Sequence, residues 1–335
     1  MKKVTIGLNG FGRIGRILTR IAFRRDTYQI AHINTRKTKN DMMAYLLKYD
    51  SVYRTFEREV KETKEGLEVD GQNITTSMIA EPQDIPWGEV NADIVVDATG
   101  AFVTKEALAK HLHDTVKKVI VTAPAKDKET SHVVLGVNEL DWKNEQIISN
   151  ASCTTNCSAP IFSVLHKAFG VEKGFLNTIH SYTSSQSLLD NANKKPDRSR
   201  AAALNMIPST TGAANAVVKV VPELAGKLDG ISVRVPTPTG SFTDVTAIVK
   251  KYVTVEEVNA AFKKAAEGSM KGILGYTEEP IVSSDILGSH FSSIFAANHT
   301  RVIGGNLVKV FAWYDNEWGY TERVADLIET VSTFI

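Results

Sequence analysis

Both cysteines of this 335-residue chain stand four residues apart in one stretch, "ASCTTNCSAP" at 151–160. The stretch follows a short apolar run and precedes the helical pattern "IFSVLHKAFG", so Cys153 falls in the first turn of a helix. Unpaired backbone N–H groups and the helix dipole there favour a thiolate and can also stabilise an oxyanion. That is a position for a nucleophile, and the hydroxyl-rich flanks set it apart from an ordinary buried thiol. Cys157, one turn on along the same face, reads as a small buried hydrophobe. Two thiols at this spacing form no disulfide framework, and free thiols suit a reducing cytoplasm. A thiolate needs a base, and His180 ends an expected strand in "NTIHSYTSSQ", directly before a long polar loop. On local sequence alone, base and structural histidine both stay open for it. His111 and His113 have period-two spacing in a helix expected near 105–112, and neither cysteine lies at metal-ligand spacing from another ligand, so no metal is expected.

A second chemistry is written in "VTIGLNGFGRIGR", where Gly10, Gly12 and Gly15 follow an expected strand and open a helix. In that context glycine permits a tight turn, close approach of backbone to a pyrophosphate, and near contact of helix and strand. The competing reading is a structural turn in an α/β sheet. A ribose-binding acid is expected at the end of the second strand. Here Asn34 is followed by Thr35, Arg36 and Lys37, a neutral hydroxyl beside two cations that would accept a 2′-phosphate.

These residues need a scaffold to position them. The first third alternates buried-looking strands (3–8, 29–34, 92–99, 117–123) with helical patterns, as in right-handed βαβ units around a parallel sheet. After 146–152 the expected strands lengthen (174–183, 229–240, 242–253, 306–317) and, with a helix at 255–267, suggest a largely antiparallel sheet. The fold class expected is therefore α/β, a Rossmann-type doubly wound parallel sheet plus an α+β catalytic domain. The boundaries expected are 1–152, completed by a C-terminal helix 317–335, and 153–316, holding the long loop 181–204. With 39 Lys plus Arg against 38 Asp plus Glu, the net charge of +1 offers no field for nucleic acid or an acidic membrane. The start "MKKVTIGLNGFGR" has no apolar stretch long enough for a signal peptide, and no run of about 18 apolar residues appears.

"NGFGRIGR", "LLKYDS", "ATGAF", "APAKD", "SNASCTTNC", "RAAALNMIPSTTGAA", "RVPTPTGS" and "WYDNEWGY" occur in order along the whole chain. Together they resemble the phosphorylating glyceraldehyde-3-phosphate dehydrogenases. The resemblance implies Cys153 as nucleophile and His180 as its base. It implies Thr183 and Arg234 on the substrate phosphate, Ser152, Thr154, Thr211 and Gly212 on inorganic phosphate, and Arg198 close to both. For the cofactor it implies Gly10, Phe11, Gly12, Arg13, Ile14, Asn34, Thr35, Arg36, Thr99, Gly100 and Thr122, with Asn316 on the nicotinamide carboxamide and Tyr320 nearby. It further implies a C-terminal helix packed on the first domain and a homotetramer whose long loop lies beside a neighbour's cofactor site. Family members specific for NAD usually have Asn-Asp where this chain has Asn34-Thr35, and Leu-Pro where Asn191-Ala192 follows Asp190. Dual use of NAD and NADP, with NADP favoured, is the expectation. Lys194 or Lys195 would then reach the ribose of an adjacent subunit. The rival activity is erythrose-4-phosphate dehydrogenase, against which "STTGAA" (209–214) argues. A cysteine hydrolase would need neither the glycine turn nor Asn316, and the near-neutral charge with Cys153 and His180 both intact argues against a binding protein on an inert scaffold.

Overall fold

In a computed structural model that describes residues 3–335, the chain divides into two units. The first comprises the chain up to Val133, Glu139–Ala151 and Thr321–Ile335; the second comprises Val134–Asn138 and Ser152–Tyr320.

The strands of the first unit are β1 (Val4–Asn9), β2 (Tyr28–Asn34), β3 (Val60–Glu62), β4 (Gly66–Val69), β5 (Gln72–Ser77), β6 (Ile94–Asp97), β7 (Lys118–Val121), β8 (Ser131–His132) and β9 (Ile147–Ser149). They form one nine-stranded sheet in the order β3-β4-β5-β2-β1-β6-β7-β9-β8. From β5 to β8 every pairing is parallel, and only the β3–β4–β5 edge is antiparallel. The core strands β1, β6, β7 and β9 are apolar without alternation because both faces are covered. The first three helices are α1 (Arg13–Arg25), α2 (Asn40–Lys48) and α3 (Lys105–Ala109). The sequence places no strand between 35 and 91, yet β4 and β5 form a hairpin. Asp70 and Gly71 are both at positive φ there (47° and 82°), the Asp-Gly signature of a two-residue turn.

Helix α3 stops at Ala109, so the expected helix through 112 is corrected. His111 closes a tight turn with its N–H on the Leu108 carbonyl, and Asp114 adopts a left-handed conformation (φ 52°). The two imidazoles consequently separate. His111 is fully buried, whereas His113 bonds Asp114 and the Pro82 carbonyl.

The second unit holds α4 (Cys153–Phe169), β10 (Val171–Ser181), β11 (Ile207–Thr210), α5 (Ala213–Val220), β12 (Leu228–Val235), β13 (Ser241–Val249), α6 (Val255–Glu267), β14 (Leu274–Thr277), β15 (Ser293–Ala296), β16 (Arg301–Ile303) and β17 (Leu307–Tyr314). Its main sheet path runs β11-β12-β10-β13-β17-β15-β14, with β16 on β17. The pairings are antiparallel except β10–β12 and β14–β15. α6 starts on a capping box in which Thr254 and Glu257 satisfy each other's backbone N–H. The last helix, α7 (Trp318–Ser332), lies mostly in the first unit, where Arg25 of α1 pairs with its Glu322 and, at 2.5 Å, with Asp326.

Candidate active site and dinucleotide crevice

Ser152 caps α4: its hydroxyl accepts the Thr155 N–H at 3.1 Å and bonds the Thr155 hydroxyl at 2.7 Å. That cap sets Cys153 at the first helical position, with Sγ 3.5 Å from Nε2 of His180 at the end of β10. Nδ1 of His180 lies 2.7 Å from the Ser181 carbonyl, which also accepts Arg234 Nη1 at 2.9 Å. Nη1 is likewise 2.9 Å from Nδ1. The Ser181 carbonyl, the nearer partner, favours the tautomer with its proton on Nδ1 and a lone pair on Nε2 facing sulfur, whereas Arg234 Nη1, which can only donate, favours the reverse. Burial, and next the Arg234 cation, pull His180 down to about 3. Burial also pushes the Cys153 thiol up, against the pull of Arg234 and Thr154. Burial therefore opposes the charged form of both groups, against the first-turn dipole that favours a thiolate. Cys157 is fully buried and pushed up to about 12 by burial.

The implied anion ligands separate along one strand pair. Arg234 on β12 stands in register with Ile207 of β11, and Thr211 lies four residues beyond it. At about 3.3 Å per residue that is roughly 13 Å. Between them Arg198 Nη2 reaches Ser209 at 3.4 Å, and its Nη1 bonds Ser185 at 2.6 Å. Thr183 bonds Ser185 at 2.9 Å, so Thr183 and Arg198 share a partner. Thr211 accepts the Ala213 N–H at 3.1 Å at the start of α5, and a Cβ on Gly212 would meet nothing within 4 Å. The Ser152 hydroxyl is occupied as a cap, and the Thr154 hydroxyl bonds Tyr314 at 2.9 Å. These two residues present backbone at the helix start; their hydroxyls are committed elsewhere. Tyr314 also bonds Thr178 and packs edge-on against His180, a buttress that its position in "WYDNEWGY" could have signalled.

Asn316 Oδ1 accepts from the Ser181 and Ser241 hydroxyls and the Gly240 N–H at 3.0, 2.9 and 3.2 Å. Three donors on the oxygen fix the amide orientation and leave Nδ2 as the donating end. Tyr320 is buried in the first turn of α7.

In the first unit a cavity of about 560 Å3 opens at the carboxyl ends of β1, β2 and β6, lined among others by Gly10, Gly12, Asn34, Thr35, Arg36 and Thr99. Phe11 lines it too. Gly10 has φ +102°, and a Cβ there would lie 2.8 Å from the Ala98 backbone. A Cβ on Gly15 would strike the Gly10 carbonyl, while one on Gly12 would meet nothing. The turn thus requires glycine twice and leaves open backbone at the third, a cradle suited to a pyrophosphate. Ile14, Gly100 and Thr122 do not line the cavity, and Thr122 instead bonds the Asp97 carbonyl. Arg13 does not line the cavity; its guanidinium forms an ion pair with Asp50 and sits 5.6 Å from the Tyr53 ring centroid. Arg16, Lys37 and Thr38 do line the cavity. Arg16 lies one helical turn beyond Gly12, spacing that places it on the glycine-turn side. The Asn34 side chain is engaged with Asn9, Ser77 and Ile79, and the Thr35 hydroxyl accepts the Thr38 N–H. Among the described residues no group of three or more His, Cys, Asp or Glu is placed to hold a metal ion. No helix among them is long and apolar enough to cross a membrane.

A doubly wound unit with a glycine cradle, joined in one chain to a unit with a cysteine–histidine pair, defines the class: a dinucleotide-linked oxidoreductase. Residues 4–105 match the model of the glyceraldehyde 3-phosphate dehydrogenase NAD binding domain, and 152–316 match that of its C-terminal domain. The chain is 49% identical over 332 residues to glyceraldehyde-3-phosphate dehydrogenase of Geobacillus stearothermophilus, covering 98% of each. It is 50% identical over 331 residues to the enzyme of that name from Priestia megaterium, again covering 98% of each. It is 47% identical to glyceraldehyde-3-phosphate dehydrogenase A, chloroplastic, of Chlamydomonas reinhardtii, over 99% of this chain and 89% of the relative. The chain belongs to the glyceraldehyde-3-phosphate dehydrogenase family. These matches do not favour the erythrose-4-phosphate alternative.

Proposed function

We propose that the chain oxidises D-glyceraldehyde 3-phosphate with inorganic phosphate to 1,3-bisphosphoglycerate, reversibly, through a thioester on Cys153. The observation that carries this reading is the 3.5 Å contact between Cys153 Sγ and Nε2 of an uncharged His180. As Sγ bonds the aldehyde carbon, the thiol proton passes to Nε2, and the carbonyl oxygen takes that proton to become the hydroxyl of a hemithioacetal. Nε2 then removes the hydroxyl proton as carbon is oxidised to the thioester. The bound nicotinamide dinucleotide supplies the hydride acceptor for that oxidation. A phosphate oxygen next attacks the thioester carbonyl, the C–S bond breaks, and sulfur recovers a proton from His180. Arg234 and Thr183 hold the substrate phosphate, Thr211, Gly212 and the backbone at Ser152 and Thr154 the incoming one, and Arg198 serves both. A guanidinium fork suits bidentate phosphate contact, and the four-residue offset of Thr211 from the register position of Arg234 sets the two anions apart along the strand pair. Asn316 donates Nδ2 to the carboxamide.

Both NAD and NADP are used, NADP being favoured. The cavity wall supports this: it contains Arg16, Arg36 and Lys37 and no carboxylate. Lys195 Nζ bonds Thr210 of its own chain at 3.3 Å. The protein is a homotetramer, a reading supported by Leu188, Leu189, Leu204 and Met206, which are 75–80% exposed on and just beyond the long loop. Two free thiols suit a reducing cytoplasm. The deciding experiment is a nicotinamide absorbance assay with and without phosphate. Reduction that requires both aldehyde and phosphate supports the reading, and acid release without reduction overturns it.

A further inference from the structure

A line of buried polar side chains crosses the first sheet directly beneath the glycine turn. The Trp87 indole donates to Nδ1 of His111 at 3.2 Å. An indole N–H only donates, so Nδ1 accepts and the imidazole proton resides on Nε2. Nε2 in turn donates to Oδ2 of Asp97 at 3.2 Å. The same oxygen accepts Asn9 Nδ2 at 2.9 Å, and Oδ1 accepts the N–H and hydroxyl of Thr99 at 3.0 and 2.7 Å. Asn9 Oδ1 then accepts Asn34 Nδ2 at 2.8 Å.

One fully buried carboxylate thus holds a residue from each of three crevice walls: Asn9 at the end of β1, Asn34 at the end of β2 by way of Asn9, and Thr99 after β6. His111 does not line the crevice. It stands behind Asp97 at zero exposure, against the ring of Trp87 in the apolar cluster with Val95 and Leu108. Trp87 in turn packs where a Cβ on Gly7 would come within 2.5 Å of its ring.

We propose that His111 is a positioning residue for dinucleotide binding: its Nε2–H holds Asp97 in the orientation that sets Asn9, Asn34 and Thr99 at their crevice spacing. The proposal rests on the reading of this crevice as the dinucleotide site. A buried carboxylate that loses a donor turns toward whatever other donors it can reach, because an unmet charge is costly at zero exposure. Asn9 and Thr99 would move with it.

Calorimetric titration of the full chain with NAD tests this. His111→Leu should raise the dissociation constant about tenfold, the factor that accompanies loss of one hydrogen bond to a charged group. His111→Gln keeps a donor and an acceptor and should restore affinity to within about threefold of wild type. Protection of the buried Cys157 from iodoacetamide reports whether the second unit is folded in each variant. A His111→Leu constant within twofold of wild type, whatever its melting temperature, overturns the proposal, as does a Gln variant no better than Leu. If His111→Leu does not fold, Trp87→Phe removes the indole donor together with part of the ring's volume; weakened NAD binding at an unchanged melting temperature supports the proposal, and unchanged binding overturns it. Failure of the wild-type chain to bind NAD would overturn the crevice reading itself, and the proposal with it.

Discussion

At the scale of single residues, the two cysteines differ in environment although they share a helix face. Cys153 is partly exposed and 3.5 Å from an imidazole, whereas Cys157 is buried against Ser293 and Ala312. Iodoacetamide should therefore modify Cys153 first, as read by peptide mass. Its rate should rise with pH through the raised thiol pKa, because only the thiolate reacts and burial delays its formation. A rate already at its plateau at neutral pH would show that the resting pair is ionised after all. Thr35 supports a second expectation. Thr35→Asp should reduce affinity for NADP at least tenfold more than for NAD, since a carboxylate facing a phosphate repels it but can pair with a ribose hydroxyl. Equal losses, measured by fluorescence titration, would separate Thr35 from cofactor choice.

At the scale of elements, Gly10 carries the sharpest requirement. Its φ of +102° and the 2.8 Å approach to Ala98 mean that Gly10→Ala must displace either the turn or β6. NAD binding should be lost to calorimetry while Cys157 stays protected from iodoacetamide, because both cysteines belong to the other unit. How legible these elements were depends on where their cause lies. Strands β1, β6 and β7 announce themselves because burial on both faces leaves unbroken apolar runs. The glycine turn does so because backbone conformation demands the residue type. The β3–β4–β5 edge is short and polar on one side, and only Asp70-Gly71 betrays it. The Cys153–His180 contact joins residues 27 apart and became visible through motif resemblance, since no local pattern encodes that pairing. The Arg13–Asp50 pair and the His111–Asp97 bond are tertiary choices among several available partners, and local sequence is silent on which partner wins.

At the scale of the whole molecule, buried histidines set the response to acid. Burial pulls His32 down to about 4 and His180 to about 3, against an ordinary value near 6.5. Both are uncharged in the fold, so below about pH 6.5 the unfolded chain takes up protons that the folded chain does not. Stability should then fall as pH drops from about 6.5 toward 4, and be insensitive to these two groups above 7. Urea midpoints across that range measure it, and His32→Gln should flatten the slope. An unchanged slope would assign the acid response to other groups. The proposed reaction needs a dinucleotide, a nucleophile and two bound anions together. The most direct measurement is nicotinamide reduction by wild-type and Cys153→Ser protein, with glyceraldehyde 3-phosphate and with inorganic phosphate present or omitted. Turnover is expected only when wild-type protein, aldehyde and phosphate are all present. Sustained turnover without phosphate, or in Cys153→Ser, would contradict it.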